Sequence, residues 1–302
     1  MYNQISSNKR NTWFLLIIFI AFFIGVGYLF GYVYTATRDG AIGFMGIFGI
    51  CAIIYSMFSY FMAGKITLAI AHAKKIKKVD NPELYRTVEN LCIASGLPTP
   101  DIYIIDDTAL NAFATGRSPE TAVVAITKGL LEQLDKPELE GVMAHELSHI
   151  KNYDIRLQCL TVALIGLIAL VSDIFLRSMM YGGHRRSGRQ GKGNAIILLI
   201  GLALAILSPI IAKIMHLAIS REREYLADAS AGLLTRFPEG LAKALEKISL
   251  DREPLEVANK ATAHLYIANP LRNEQGMKWL NNMFSTHPPI EERIARLRGM
   301  TI

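Results

Sequence analysis

Two long apolar runs near the start of the chain restrict its fold more than any other feature of the sequence. Trp13 to Tyr34 and Ala41 to Gly64 contain no charged residue. Each exceeds the roughly 20 residues that a helix needs to cross a hydrocarbon core of about 30 Å, and each is too long for the core of a cleaved signal peptide. The composition agrees, because 51% of the 302 residues are hydrophobic and the mean hydropathy is +0.28. We therefore expect a membrane protein with a cytoplasmic tail, residues 1–12, and a retained transmembrane hairpin, residues 13–64.

Residues 157–219 contain two weaker candidates for membrane spans, separated by a basic loop. The segment 157–176 includes Gln158 and Asp173, and the segment 195–219 includes Lys213. Ionisable groups at membrane depth are costly and need partners or a route to the interface. Two interpretations stay open, since these segments either span the bilayer or pack in part on protein. Together with the hairpin they predict about four transmembrane or membrane-associated helices.

Lysine and arginine residues flank the hairpin asymmetrically. Lys9 and Arg10 precede it and several lysines follow it within residues 65–78, whereas the loop between the two runs carries only Arg38. The positive-inside tendency therefore places both flanks in the cytoplasm. The basic loop 177–194 opposes this rule, because two further spans would place it outside. Either the hairpin determines the orientation, or the second pair of segments does not fully cross.

The net charge of +6 does not indicate nucleic-acid binding. The basic excess lies largely beside apolar segments, where attraction to anionic lipid headgroups explains it. The sequence contains neither a nucleic-acid-binding motif nor an internal repeat. Its three cysteines lack the spacing of a zinc-binding or redox pair, so we expect no disulfide. The lipid bilayer is the expected partner, and nucleic acid is not.

Residues 65–156 and 220–302 are polar and are together long enough for one soluble domain. A helix is predicted over Pro82 to Ser95, because proline favours the first turn and Gly96 ends the helix. Short apolar runs between turn-forming residues then predict a small β-sheet, and these runs are DIYII, ALNAFATG and TAVVAIT. Another helix follows from Pro137. The predicted fold class is therefore α+β.

The helix from Pro137 carries the sequence HELSH at residues 145–149. His145 and His149 are four residues apart, so both imidazoles lie on one helix face and can bind one ion, with Glu146 beside them. This HExxH arrangement supplies two ligands and a general base for a zinc hydrolase. Two solvated or capping histidines are the alternative, which the rarity of the pattern in a chain with 7 histidines disfavours.

A catalytic zinc of this kind needs one more protein ligand. The stretch 221–234, REREYLADASAGLL, offers Glu224 and Asp228 four residues apart on a predicted helix, followed by small residues that permit close packing. Glu224 is a candidate ligand, and Asp228 is a candidate acceptor for the outer nitrogen of a ligand histidine. The same charges also fit a solvated helix start, and the residues alone favour that reading. Asp154, five residues beyond His149, is expected to pair with a nearby arginine and to lie outside the active centre.

Four motifs occur in order along the chain among these apolar segments, and they are NAFATG at 111–116, HELSH at 145–149, EYLAD at 224–228 and STHPP at 285–289. The combination resembles the M48 family of membrane zinc metallopeptidases, in particular its HtpX type, over nearly the whole chain. The resemblance implies a thermolysin-like (gluzincin) core that faces the cytosol at a bacterial inner membrane. It also implies one Zn²⁺ per chain, held by His145, His149 and Glu224, with Glu146 as the catalytic base.

The resemblance also assigns roles to the NAFATG stretch. It looks like the family's edge strand, so Asn111, Ala112, Phe113 and Ala114 are expected to bind an extended substrate, largely through main-chain hydrogen bonds. A plain interior strand is an equal alternative. His287 is a candidate donor to the oxyanion of the tetrahedral intermediate, or else it only leads into the next helix.

The implied function is an endopeptidase that removes misfolded or damaged membrane proteins under stress, so polypeptides are the expected partners. A prenyl-protein (CAAX) endopeptidase stays an alternative, although that branch normally has more membrane segments. A scaffold or pseudo-enzyme with structural zinc is another, which four protein ligands, usually cysteines, would indicate. A transporter is disfavoured because the apolar segments contain few polar residues. The oligomeric state is not predicted.

Overall fold

The structure is a computed structural model that describes residues 2–182, 221–251, 253–256, 262, 265–268 and 288–301. Along the chain it forms α1 (Tyr2–Thr35), α2 (Arg38–Ile70), β1 (Lys74–Lys75), α3 (Pro82–Ser95), β2 (Asp101–Ile105), β3 (Ala112–Thr115), β4 (Val123–Thr127), α4 (Lys128–Gln133), α5 (Lys136–Lys151), α6 (Asp154–Gly182), α7 (Arg221–Thr235), α8 (Pro238–Leu250) and α9 (Ile290–Arg298). A 3₁₀ turn, Pro119–Thr121, connects β3 to β4. The chain divides into two compact units, one from residues 1–9, 63–159 and 219–302, the other from residues 10–62 and 160–218.

The apolar unit contains the two predicted hairpin helices. Of the described helices, α1 and α2 are long and apolar enough to cross a membrane. Large apolar side chains face outward on both, as at Trp13, which is 67% exposed, and Ile54, which is 62% exposed. An exposed apolar surface of this extent is typical of contact with a membrane or with another protein. Within the unit, the Tyr55 hydroxyl donates to the Ala163 carbonyl across 3.0 Å and joins α2 to α6.

The two later apolar segments are described only in part. The predicted segment 157–176 is helical and lies within α6. The segment 195–219 lies outside the described residues, as do residues 183–194 of the basic loop. Four membrane helices therefore stay a prediction.

The polar unit contains the predicted small sheet. Its four strands lie in the order β1-β2-β4-β3. β2 and β4 are parallel, whereas the β1–β2 and β3–β4 pairs are antiparallel. The three sequence runs that predicted strands form β2, β3 and β4. β3 is an edge strand of this sheet, paired on one side with β4.

Helix α3 has the limits that the sequence predicts. The Asn81 side chain accepts a hydrogen bond from the Leu84 N–H across 3.0 Å at its start. Gly96 ends it in the left-handed conformation, with φ of 71°, which glycine adopts at little cost. Local sequence signals therefore predict both ends of this helix.

Helix α5 lies in the centre of the polar unit's core. The apolar positions predicted for it, among them Val142, Met143 and Leu147, are buried and pack with residues of α3, α8 and the sheet. A Cβ atom at Gly141 would lie 2.6 Å from the Leu241 backbone nitrogen, so glycine permits α5 and α8 to cross closely. The HELSH helix is consequently held on several sides by tight packing.

Candidate metal centre

The start of α5 is fixed, and this sets where its two histidines lie. The Asp135 side chain accepts from the Glu138 N–H across 3.0 Å, and the Glu138 side chain accepts from the Asp135 N–H across 2.8 Å. This capping box satisfies two backbone donors, and Lys247 binds the same buried Glu138 carboxylate across 2.6 Å. Further along the helix, His145 and His149 are buried one turn apart, with their Nε2 atoms separated by 3.1 Å.

Helix α7 brings Glu224 to the two histidines. α7 packs on α5, and its buried small residues Ala227 and Ala231 permit the close approach. The Glu224 carboxylate oxygens lie 3.8 Å from His145 Nε2 and 3.6 Å from His149 Nε2. One ligand atom from each of the three side chains lies within 4.8 Å of the others. The structure thus brings together the three residues that the sequence proposed as ligands.

Zinc fits this group in both chemistry and spacing. Two imidazole nitrogens and one carboxylate are the donor set of many catalytic zinc sites. Donors about 2.0–2.1 Å from a tetrahedral ion lie roughly 3.3 Å from one another, which is close to the observed 3.1, 3.6 and 3.8 Å. Three protein ligands leave one position of a tetrahedral ion for water or substrate.

The two histidines differ in their electrostatic environment. Burial lowers the pKa of His145 despite its hydrogen bond to Asp228. Burial acts in the same direction on His149, but the hydrogen bond with Asp154 and the charge of Glu224 outweigh it and raise its pKa to about 9. The two imidazoles therefore differ in basicity, and a cation bound to both Nε2 atoms would compete with a proton on His149.

Each histidine has a carboxylate on its outer nitrogen. Asp228 lies 2.9 Å from Nδ1 of His145, and Asp154 lies 3.0 Å from Nδ1 of His149. Carboxylates in this position fix the tautomer and direct Nε2 toward the metal. Asp154 has the arginine partner that the sequence suggested, since Arg223 lies 3.6 Å away. Its contact with His149 shows that its placement outside the active centre was wrong. The cause is a turn at Tyr153, which has a φ of 62°. No sequence signal predicted this turn.

Arg293 of α9 is a further buried residue of the site. Its guanidinium donates to both Asp228 carboxylate oxygens across 2.8 and 2.7 Å and to the Ile267 carbonyl across 2.9 Å. It also lies 3.7 Å from Glu224. Burial alone would raise the pKa of Asp228, but Arg293 outweighs it and holds that pKa at about 2. Asp228 is therefore an ionised acceptor for His145.

No sequence argument identified Arg293, although a signal was present. In the amphipathic stretch PIEERIARL it lies three residues after Ile290 and four before Leu297. An arginine on the apolar face of a helix requires a buried partner. That requirement could have marked Arg293 as a residue of interest, but it would not have identified Asp228 as the partner.

Glu146 is buried beside the three proposed ligands. Its carboxylate accepts a hydrogen bond from the Ala114 N–H of β3. Burial is the largest influence on this group and raises its pKa to about 7, with His149 and Arg293 acting in the opposite direction. A carboxylate with this pKa can take up and release a proton near neutral pH, as a general base must.

The free side of β3 is in contact with residues 265–268 of the same chain. The Ile267 N–H donates to the Ala112 carbonyl across 3.0 Å, and the Asn111 side chain donates to the Ala268 carbonyl across 3.2 Å. The Phe113 ring packs edge-on against another ring of this segment, with the centroids 5.2 Å apart. The predicted substrate-binding stretch is therefore an edge strand, and another part of the chain covers it.

His287, the predicted oxyanion donor, lies outside the described residues. Pro288 and Pro289, which follow it, are described, and α9 begins at Ile290 with Pro289 as the preceding residue. The predicted helix PIEERIARL is confirmed, and the role of His287 stays a prediction.

The chain is similar to known proteins over most of its length. The profile described as Peptidase family M48 matches residues 78–301. A Protease HtpX homolog from Tropheryma whipplei (strain TW08/27) is 46% identical over 300 residues, which cover 99% of this chain and 98% of the relative. A Protease HtpX homolog from Dictyoglomus turgidum is 46% identical over 301 residues, covering 99% of this chain and 94% of the relative. The crystal structure of S. mikatae Ste24p is similar over 90% of this chain and 62% of the Ste24p chain, with 20% sequence identity and a TM-score of 0.48.

Proposed function

Since the chain belongs to peptidase family M48, we propose that His145, His149 and Glu224 hold one catalytic zinc ion and that Glu146 is the general base of peptide-bond hydrolysis. The protein is a membrane metalloprotease of the HtpX type. One observation carries the residue assignment: the three ligand atoms converge within 4.8 Å from two separate helices, beside a buried carboxylate whose pKa is raised to about 7.

The side chains around the metal divide the chemistry among them. When bound, zinc supplies a Lewis acid that polarises the scissile carbonyl and acidifies a water molecule. Glu146 takes a proton from that water and delivers it to the leaving amine. Asp228 and Asp154 hold the outer nitrogens of the two histidines, which leaves both Nε2 atoms to hold the ion. No covalent bond between enzyme and substrate is required.

An extended substrate would add to the edge of β3. The Ala112 carbonyl and the Asn111 side chain face that edge, because both bind residues of the segment 265–268 there. A polypeptide that uses the same groups must displace this segment. Main-chain binding of this kind gives affinity with little dependence on sequence, which suits an enzyme that acts on many unfolded chains.

We also propose the finer details of placement. The polar unit would have the thermolysin-like core and lie at the cytoplasmic face of a bacterial inner membrane, anchored by the helices that contain residues 13–64 and by the segments 157–176 and 195–219. The lysines and arginines on the outer flanks of the hairpin support this orientation. A site at the membrane surface can reach the loops and ends of damaged membrane proteins, which are the substrates we propose.

The proposal is tested by metal content and proteolysis measured on the same detergent-solubilised preparations. We expect one zinc per chain and cleavage of an unfolded test protein, with both lost in Glu224→Ala. Glu222→Ala is the matched control, because Glu222 lies exposed on the same helix, and it should keep both. Full zinc content in Glu224→Ala would overturn the ligand assignment. Proteolysis that survives complete removal of metal by a chelator would overturn the proposed chemistry.

A further inference from the structure

The turn between α5 and α6 determines where Asp154 lies. Asn152 caps α5, and Tyr153 then adopts a left-handed conformation with φ of 62°. This conformation is unfavourable for a residue with a side chain and persists only where its surroundings hold it. The turn at Tyr153 leads directly into α6, whose first residue, Asp154, reaches Nδ1 of His149 across 3.0 Å.

The first turns of α1 hold both sides of this turn. The Asn8 side-chain amide donates to the Asn152 carbonyl across 2.8 Å and to Oδ1 of Asp154 across 2.6 Å. An amide nitrogen has two hydrogens, so one Asn8 side chain supplies both donors. Asn8 is 1% exposed. The next residue, Lys9, places its ammonium 5.0 Å from the centre of the Tyr153 ring. The Asn8 side chain thus binds the residues on both sides of Tyr153.

We propose that Asn8 is a positioning residue for the metal ligand His149 and acts through Asp154. The Asp154 carboxylate has two oxygens, and they bind different partners: Oδ2 contacts His149, while Oδ1 contacts Asn8. Arg223 lies 3.6 Å from the same Oδ1 and balances the carboxylate's charge. Asn8 fixes the direction of the carboxylate, because its short hydrogen bond and its second bond to the Asn152 carbonyl leave Asp154 one orientation.

This inference rests on the proposed zinc site and adds to it Asn8, which contacts the carboxylate that binds a ligand histidine. A ligand histidine whose outer acceptor turns away binds metal more weakly, typically by about 10-fold or more. The Asn8 amide would therefore tune zinc affinity from a position far from the HELSH motif in sequence. Since α1 continues from Asn8 into the first apolar run, the helix that carries the first predicted span also contributes to the metal centre.

Two substitutions test the proposal in the full-length, detergent-solubilised protein. Asn8→Ala removes the donor, and Asn8→Asp replaces it with a carboxylate of the same shape that repels Asp154. Ser6→Asp is the control, because it adds the same charge at an exposed position on the same helix. We expect the zinc dissociation constant to rise about 10-fold in both Asn8 variants and to stay unchanged in Ser6→Asp. The visible absorption of the Co²⁺-substituted protein should shift in the Asn8 variants alone.

A double-mutant cycle separates positioning from general loss of structure. If Asn8 acts through Asp154, then Asn8→Ala should weaken zinc binding in the wild-type background and have no further effect in Asp154→Asn. Additive effects of the two substitutions, or unchanged zinc affinity and cobalt spectrum in both Asn8 variants, would overturn the proposal. A wrong assignment of the zinc ligands would give a different result. In that case Glu224→Ala would retain its metal, whatever the zinc affinity of the Asn8 variants.

Discussion

Glu146 is a buried carboxylate, and its burial has a consequence for stability. Folding raises its pKa from the ordinary 4.5 to about 7. A group whose pKa is raised by folding contributes stability that is complete below the unfolded pKa, near 4.5, and is lost as the pH rises through about 7. At pH 8 the metal-free protein therefore holds a buried carboxylate at a cost of roughly 3 kcal/mol at most.

We expect Glu146→Gln to raise the thermal stability of the metal-free protein at pH 8 and to leave it nearly unchanged at pH 5. The glutamine is neutral at both pH values, so it avoids the cost of the buried charge. Thermal unfolding at the two pH values measures this, with Glu132→Gln on the exposed surface of α4 as the control. A stabilisation of equal size at pH 5 and pH 8 would contradict the assigned pKa.

Arg293 and Asp228 form a buried ion pair that should tolerate the loss of neither partner. Removal of one partner leaves an uncompensated buried charge, which typically costs about 3–5 kcal/mol. We expect Arg293→Met to lower the unfolding temperature strongly, and Arg293→Met with Asp228→Asn to recover part of the loss. Arg296→Met is the control, since Arg296 is exposed on the same helix and pairs with Glu292 across 2.8 Å. Equal effects of the Arg293 and Arg296 substitutions would contradict the buried pair.

The residues of the site differ in how far the sequence reveals them. The four-residue spacing of His145 and His149 follows from helix geometry, so the sequence predicts that they face one ion. Asp154, Asn8 and Arg293 are different, because each joins the site through a contact with a residue far along the chain or beyond an unforeseen turn. The relevant information lies in the packing of α1, α5 and α9, which no local pattern contains.

At the scale of elements, the edge of β3 is the feature with the clearest functional consequence. The Ile267 N–H and the Ala268 carbonyl bind the Ala112 carbonyl and the Asn111 side chain, which are the groups that a bound polypeptide would use. In the proposed binding mode, the segment 265–268 and the substrate would compete for the same edge. Weaker binding of the segment should favour binding of the substrate.

Two substitutions at position 267 isolate this competition. Ile267→Pro removes both the N–H donor and the side chain, whereas Ile267→Ala removes only the side chain. We expect the KM for an unfolded substrate to be lower in the proline variant than in the alanine variant, by about 5-fold for one hydrogen bond of about 1 kcal/mol. Steady-state kinetics on the two variants measures the difference. Equal KM values would show that the segment does not compete with substrate.

Elements were predictable where local chemistry determines them. Pro82 and Gly96 marked α3, and the apolar runs marked β2, β3 and β4. The strand order was not predictable, because the parallel pairing of β2 with β4 depends on side chains that meet only in the folded sheet. The cover over β3 by residues 265–268 was missed for the same reason.

At the scale of the whole molecule, the central question is which side of the membrane carries the polar unit. The sequence gives a clear orientation for the hairpin, but the later segments extend beyond the described residues and their basic loop opposes the simple rule. Composition and the lengths of the apolar runs predicted a membrane protein, because both can be read directly from the sequence. The number of crossings depends on partners for the polar groups within residues 157–219, which the sequence does not identify.

Thiol labelling of single cysteines in intact cells tests the orientation. In a variant without Cys51, Cys92 and Cys159, we place one cysteine at Thr37 or at Val79, which is 77% exposed. A membrane-impermeant reagent should label the Thr37→Cys protein in intact cells and the Val79→Cys protein only after the cells are opened. Labelling of Val79→Cys in intact cells would contradict a cytoplasmic site.

The most direct test of the proposed chemistry compares wild type with Glu146→Gln in the zinc-loaded, detergent-solubilised protein. Cleavage of an unfolded test protein and zinc content are measured on the same samples. If Glu146 is the general base and not a ligand, the variant keeps one zinc per chain and loses nearly all turnover, typically by about 10²-fold or more. Equal turnover in both proteins would contradict the assignment of this site as the centre of proteolysis.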